Sequence, residues 1–447
     1  MSIFNGQRLT NATFKLDIER MRKGWYSDKY FTNIAYMLSE LSRRGYTYRG
    51  RDSHLPPGIP SEGINNGDIE VEMQWFTRRP GKTIVVGVDK ALEMLRHCTG
   101  YWEGDTFVDT SDRLEVWAVQ DGSVVTYEGD PLDVQPVIRV HGRYRDFAHL
   151  ETPTLGILTR SSRVATNVYQ TIVAAKGKPM LFFPARFDLH EVQAADGYAY
   201  NIALQRYNMD YAGKLGPFIS TDAQGDWWSG EGGGTVSHSA IASFLGDTAE
   251  AMLAFSEILP MTAPRIALVD FNNDCVRDSI KVCRAMFERY REYCDMGKPE
   301  EAERYRLYGV RMDTSASLRD ASVAPLGDPS LDLGVSPRLV FNVRQGLNSA
   351  WESWNLPPEW QERARQYCQD VKIVVSGGFR PEKIRKFEQL AVPVDIYAVG
   401  SYLFSNDGPT VTDYTADVVR VKVHDQWVDM AKVGRRPLDN PDLERVW

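Results

Sequence analysis

The chain has 447 residues, of which 43% are hydrophobic and 25% charged, and carries a formal net charge of −8. Such a length is that of two domains or of one large barrel with additions, and the acidic balance argues against the basic face that nucleic-acid binding requires. No apolar run approaches the ~18 residues of a membrane span and the N-terminus lacks a signal-peptide pattern, so a cytoplasmic protein is expected.

The first 150 residues read as a mixed α/β region. A helical stretch, NIAYMLSELSRRG, precedes strand-like runs IEVEMQWFTRR and RLEVWAVQ, which are separated by PPGIPSEG and QDG turns. Residues 151–409 then alternate regularly. Helix TLGILTRSSRVATNVYQTIVAA leads to strand KPMLFFPAR, ending near Arg186, and helix SAIASFLGDTAEAMLAFSEIL leads to strand RIALVDF. Helix CVRDSIKVCRAMFERYREY, strand YGVRMDT, helix SPRLVFNVRQGLNSAWESW, strand KIVVSGG, helix PEKIRKFEQL and strand DIYAVGSYL follow. Short apolar strands alternating with longer helices predict a parallel sheet. The succession of units without a dinucleotide fingerprint favours a (β/α) barrel over an open doubly wound sheet. The five cysteines, Cys98, Cys275, Cys283, Cys294 and Cys368, contain no C-x-x-C pair. Reduced cysteines and no zinc site are expected.

The polar residues of the regular part recur at strand ends, where a barrel builds its site. Arg186, Asp270, Arg311 with Asp313, Gly377 with Gly378, and Gly400 with Ser401 all fall there. The glycines of VVSGGFRPEK and YAVGSYLF suit backbone donation to a phosphate, as does the run SGEGGGTVSHS with Thr235 and His238. A histidine so placed can move a proton or attack phosphorus. Asp270 and Asp313 suit ribose hydroxyls or the water shell of Mg²⁺. Phe183 and Arg186 suit a flat anionic ring.

The ordered segments YSDKYF, VEMQWFTRRPG, FFPARFD, FISTDAQGDWW, GTVSHSAIASFLGDT, ALVDFNND, YGVRMDTSASL, SGGFRPEKIRKFE and VDIYAVGSYL span residues 26–403. Together they resemble the nicotinate phosphoribosyltransferase family, in the branch with a GVR-x-D-T-S run. The resemblance implies an irregular α/β barrel of the type II phosphoribosyltransferase kind, with a mixed α/β domain formed from residues 1–150 and the tail 410–447. It implies transfer of ribose 5-phosphate from phosphoribosyl pyrophosphate to nicotinate, coupled to ATP, in a homodimer with shared active sites. By the same resemblance His238 is the phosphorylated histidine, and Asp270 and Asp313 meet the ribose and its Mg²⁺–pyrophosphate. The metal is then held through the substrate rather than by the protein. Phe183 and the partner's Tyr30 sandwich the base, Arg186 and Arg311 face it, and Arg79 reaches a phosphate across the interface. Gly377, Gly378, Gly400 and Ser401 surround the 5′-phosphate. Two alternatives stand beside this one. Nicotinamide is the base if Asp222 in STDAQG bonds an amide, and a non-catalytic sugar-phosphate-binding barrel is the other.

Overall fold

Glu70–Thr77 is the strand around which the first part of the chain is organised, and it is buried on both faces from Val71 onward. In this computed structural model, which describes residues 4–447, it pairs antiparallel with Ile138–Arg143 on one edge and Tyr414–Val423 on the other. The sheet runs Gln426–Asp429, Tyr414–Val423, Glu70–Thr77, Ile138–Arg143, Glu115–Ala118, Glu444–Arg445. Strand alternation turns Val71, Met73 and Trp75 into one core. Helix Val88–Cys98 closes it with Ala91, Leu92, Leu95 and Cys98, which share a helical face. The intervening Glu72 and Gln74 are polar and almost wholly buried, so each needs a partner. Arg420 and His141 contact the Glu72 carboxylate at 2.9 and 3.1 Å, and Gln74 donates to the Leu438 carbonyl at 2.8 Å.

The chain divides into two compact units. One runs up to Tyr169 and includes Tyr198–Met209 and Ser405–Trp447; the other comprises Gln170–Gly197 and Asp210–Phe404. The division thus falls at Tyr169 and Ser405, where the sequence suggested 150 and 410. The physical reason lies in helix Glu151–Ala174, whose Leu158 is part of the antiparallel unit's core and whose Thr154 accepts the Trp75 indole N–H.

The second unit is built on five parallel strands. They are β1 (Met180–Phe182), β2 (Ile266–Leu268), β3 (Gly309–Met312), β4 (Lys372–Val375) and β5 (Ile396–Val399), hydrogen-bonded in the order β1-β5-β4-β3-β2. The last strand of this unit therefore pairs with its first, the wrap-around of a (β/α) barrel. On the far side of β1, Ile219 adds a single parallel bridge to Phe182. No ladder among the described residues joins Ile219 to β2, so the barrel is irregular. Around it, helix Cys275–Asp295 buries Cys275, Asp278, Ser279, Val282, Cys283, Met286 and Phe287, the i, i+3, i+4 stripe of an amphipathic helix.

Two expectations need correction. The stretch read as one helix after His238 is two, His238–Ser243 and Thr248–Ile258. Leu245 and Gly246 take positive φ between them, and Asp247 caps the second helix by accepting from Ala249 and Glu250. Arg186 is not on a strand: β1 ends at Phe182, and Arg186 sits in the short turn Ala185–Phe187.

Candidate active site

Side chains on the inner face of the barrel are set by strand alternation. Leu181 of β1, Ile266 of β2, Val374 of β4, and Ile396 and Ala398 of β5 form an apolar interior, with Phe183 and Phe218 packed against it. At the carboxyl ends of three strands the same inward register becomes polar: Asp270 beyond β2, Arg311 and Asp313 along and beyond β3, Ser376 beyond β4. A cavity of about 250 Å³ opens above this floor. Phe183, Arg186, Phe187, His238, Arg311 and Asp313 line it, with the backbone turns Gly377–Gly378 and Gly400–Ser401.

Its electrostatics favour an anion. The Arg311 guanidinium lies 3.5 Å from Asp313 and 6.0 Å from the centroid of Phe183. Burial, with Arg186 repelling it as well, lowers the Arg311 guanidinium from its ordinary value, and Asp313 and Asp270 offset that only in part. Gly377 and Gly378 hold φ of 87° and 67°, consecutive left-handed residues whose amides make a concave donor surface. Lys383, one turn into helix Pro381–Gln389, donates to the Gly377 carbonyl at 3.3 Å. Burial pushes its ammonium down to about 8. Gly400 has a different reason to lack a side chain, since a Cβ there would meet the Phe187 ring at 2.7 Å.

His238 opens its short helix behind an N-cap at Ser237, whose hydroxyl accepts from Ala240. Its Nε2 lies 3.1 and 3.0 Å from the two oxygens of Asp270. The imidazole is half exposed while the Asp270 side chain is 9% exposed, so a buried carboxylate backs an accessible ring. Burial raises the Asp270 carboxyl, and the His238 contact opposes that rise. Donation of Nε2–H to Asp270 leaves the ring's lone pair on Nδ1.

Nine of the sequence candidates therefore line one cavity: His238, Asp313, Phe183, Arg186, Arg311, Gly377, Gly378, Gly400 and Ser401. Asp270 stands behind His238. The others are placed elsewhere. Asp222 accepts the Gly232 N–H at 2.9 Å and so staples the glycine loop; it is not part of the cavity wall. Thr235 bonds weakly to the Val236 carbonyl at 3.4 Å and likewise lies off the wall. Tyr30 is in the antiparallel unit, 60% exposed on helix Lys29–Arg43. Arg79 contradicts its expected reach. It is 1% exposed, with its guanidinium on Thr412 and Asn167 at 2.7 and 2.8 Å, so it is a buried cross-link of its own unit. Ser237, at the entrance of the helix that His238 opens, also lines the wall, and Phe187, Phe379 and Ala398 complete it without having been foreseen. Phe187 follows a proline turn that hides its direction, though FFPARF shows a third aromatic.

Comparison with known proteins fits this geometry. Residues 59–162 match the family described as "Quinolinate phosphoribosyl transferase, N-terminal domain". The chain is 34% identical over 141 residues to nicotinate phosphoribosyltransferase 1 of Arabidopsis thaliana, a stretch that is 31% of this chain and 22% of that protein. It superposes on nicotinate-nucleotide pyrophosphorylase from Pyrococcus furiosus with a TM-score of 0.62 at 21% identity, covering 94% of this chain and 80% of the other. Human nicotinic acid phosphoribosyltransferase gives 0.53 at 16% identity, covering 88% and 74%. The family match covers about a quarter of the chain, and the chain spans about a fifth of the length of the Arabidopsis protein it matches. At these identities the structural likenesses speak to fold: a type II phosphoribosyltransferase barrel joined to a mixed α/β unit.

Proposed function

We propose that the chain is a nicotinate phosphoribosyltransferase, making nicotinate mononucleotide and pyrophosphate from nicotinate and phosphoribosyl pyrophosphate, with ATP as a co-substrate. One observation carries the reading: the accessible His238–Asp270 pair opens on the same cavity as two guanidiniums, an aromatic floor and two phosphate-type turns. A sugar-phosphate receptor would need the turns but not the histidine pair.

In this reading the 5′-phosphate sits at Gly377–Gly378 and Gly400–Ser401, and the pyridine carboxylate faces Arg186 and Arg311 over Phe183. The pyridine nitrogen bonds to C1′ of the ribose as the C1′–O bond to pyrophosphate breaks, and the leaving group takes that electron pair. Asp313 stabilises the positive charge that builds on the ribose. Among the described residues no cluster of three or more His, Cys, Asp or Glu could hold a metal ion. A magnesium ion would arrive on the donor's pyrophosphate and neutralise the leaving charge, with Asp270 and Asp313 as nearby oxygen donors. The lone pair of His238 Nδ1 attacks the γ-phosphorus of ATP as the bond from that phosphorus to the bridging oxygen breaks, ADP leaving with the electron pair, while Asp270 holds the proton on Nε2.

Two coarser features extend the reading. No helix of the described residues is long and apolar enough to cross a membrane, and the five cysteines are free, as a cytoplasmic enzyme requires. Tyr30, Tyr36 and Trp25 are 60%, 71% and 69% exposed on and beside one helix, an aromatic surface that a second copy would cover in a homodimer. Asp222 accepts the Gly232 N–H and stands off the cavity wall, which supports nicotinate over nicotinamide as the base.

The test is mononucleotide formation from phosphoribosyl pyrophosphate and Mg²⁺ with nicotinate or nicotinamide, each with and without ATP. Nicotinate is the expected base, and ATP is expected to stimulate. A His238→Asn variant should lose the stimulation and keep slow ATP-independent transfer; full stimulation in that variant would sink the role.

A further inference from the structure

The side chain directly behind Arg311 of β3 and Asp313 just beyond it belongs to neither phosphate turn and to none of the roles above. Ser376 follows β4, is wholly buried, and faces β3. Its backbone N–H donates to the Met312 carbonyl at 3.0 Å, which extends the parallel ladder one step beyond the strands. Its hydroxyl has three neighbours: the Met312 carbonyl at 3.0 Å, Asp313 Oδ1 at 2.8 Å and Arg311 Nη1 at 3.3 Å. A hydroxyl has one proton to give. The Met312 carbonyl already receives the Ser376 amide, and a carboxylate is the stronger acceptor, so the proton goes to Asp313. The oxygen lone pairs then receive Arg311.

We infer that Ser376 is a positioning residue that locks Arg311 and Asp313 into one arrangement, and thereby sets where the ribose and the anionic base bind; this rests on the transferase reading given above. The direct contact between the two charged groups is long, 3.5 Å, and would not by itself fix either side chain. The hydroxyl bridges them with shorter bonds on each side. The wall continues at Gly377, where a Cβ would stand 3.5 Å from the same Asp313 oxygen. Oδ1 is thus enclosed by Ser376 and Gly377, while Oδ2 is directed toward Arg311. A serine here differs from alanine only by that hydroxyl, so its removal changes the geometry of the site with little change in packing volume.

The experiment pairs a crystal structure of Ser376→Ala with steady-state kinetics of the same variant and of Ser376→Cys, which keeps the size and weakens the donor. Asp313 and Arg311 are expected to shift by ~1 Å, with kcat lowered about 10- to 100-fold and KM for phosphoribosyl pyrophosphate raised, in a variant that still unfolds cooperatively. Ser376→Thr, which restores the hydroxyl, should recover a substantial part of the loss. Unmoved side chains in Ser376→Ala would overturn the inference, and so would displaced side chains with turnover within twofold of the wild type. Should the wild type make no product, the transferase reading falls, and displacement in the crystal still decides whether Ser376 braces the pair.

Discussion

Arg79 shows how far a residue's neighbours in sequence can mislead about its job. In WFTRR it follows a strand and looks like a cationic arm, but the fold spends its guanidinium on Thr412 and Asn167, both distant in sequence. Arg79→Ala strands those two polar partners in the interior and should destabilise the protein by about 2–4 kcal/mol. The measurement is thermal unfolding set beside KM for phosphoribosyl pyrophosphate. A lowered melting temperature with normal KM is the expected pair, and a raised KM at unchanged stability would return Arg79 to phosphate binding. Residues whose role depends on strand direction were legible: Asp270, Arg311 and Asp313 stand at inward positions near strand ends, and each sits where that register puts it. Ser376 and Phe187 were not. A buried serine has no signature beyond its place in SGG, and Phe187 depends on a turn that periodicity does not describe.

At the scale of elements, alternation of apolar strands and amphipathic helices made the barrel readable, because each β/α unit is local in sequence. The break at Leu245–Asp247 was not legible because apolar spacing continues across it; the positive φ of Leu245 and Gly246 and Asp247's capping bonds separate the two helices. The antiparallel sheet was harder, because its strand pairs are not consecutive. Tyr414–Val423 supplies one entire edge of Glu70–Thr77, from Val71↔Val421 to Thr77↔Tyr414. A chain ended at residue 410 should therefore expose a long apolar strand edge and aggregate. Expressing it alone and then with residues 411–447 added in trans checks this. Soluble, cooperatively melting protein without the added segment would contradict the assigned role of the tail strand.

For the whole molecule, two cores mean two sets of titrating groups, and His149 belongs to the antiparallel unit. It is almost fully buried with Nε2 3.2 Å from the Cys98 carbonyl, and burial pushes its imidazole from about 6.5 down to about 4. A base whose folded value is depressed gives its full contribution above the unfolded value and loses it on acidification. The unit should weaken as pH falls from ~6.5 to ~4, by about 1.4 kcal/mol per pH unit at most. Calorimetry across that range, with His149→Gln as reference, is the check; identical pH slopes in both proteins would refute it. The closing tail strand has one more consequence, which concerns synthesis. Glu72 and Arg420, bonded across the sheet, lie 348 residues apart. At roughly 5–20 residues per second a ribosome needs on the order of 20–70 seconds between them. All five barrel strands leave the exit tunnel in that interval, while Glu70–Thr77 waits with one side open. Translation speed thus sets how long Glu70–Thr77 stands with one edge unpaired before Tyr414–Val423 can close it.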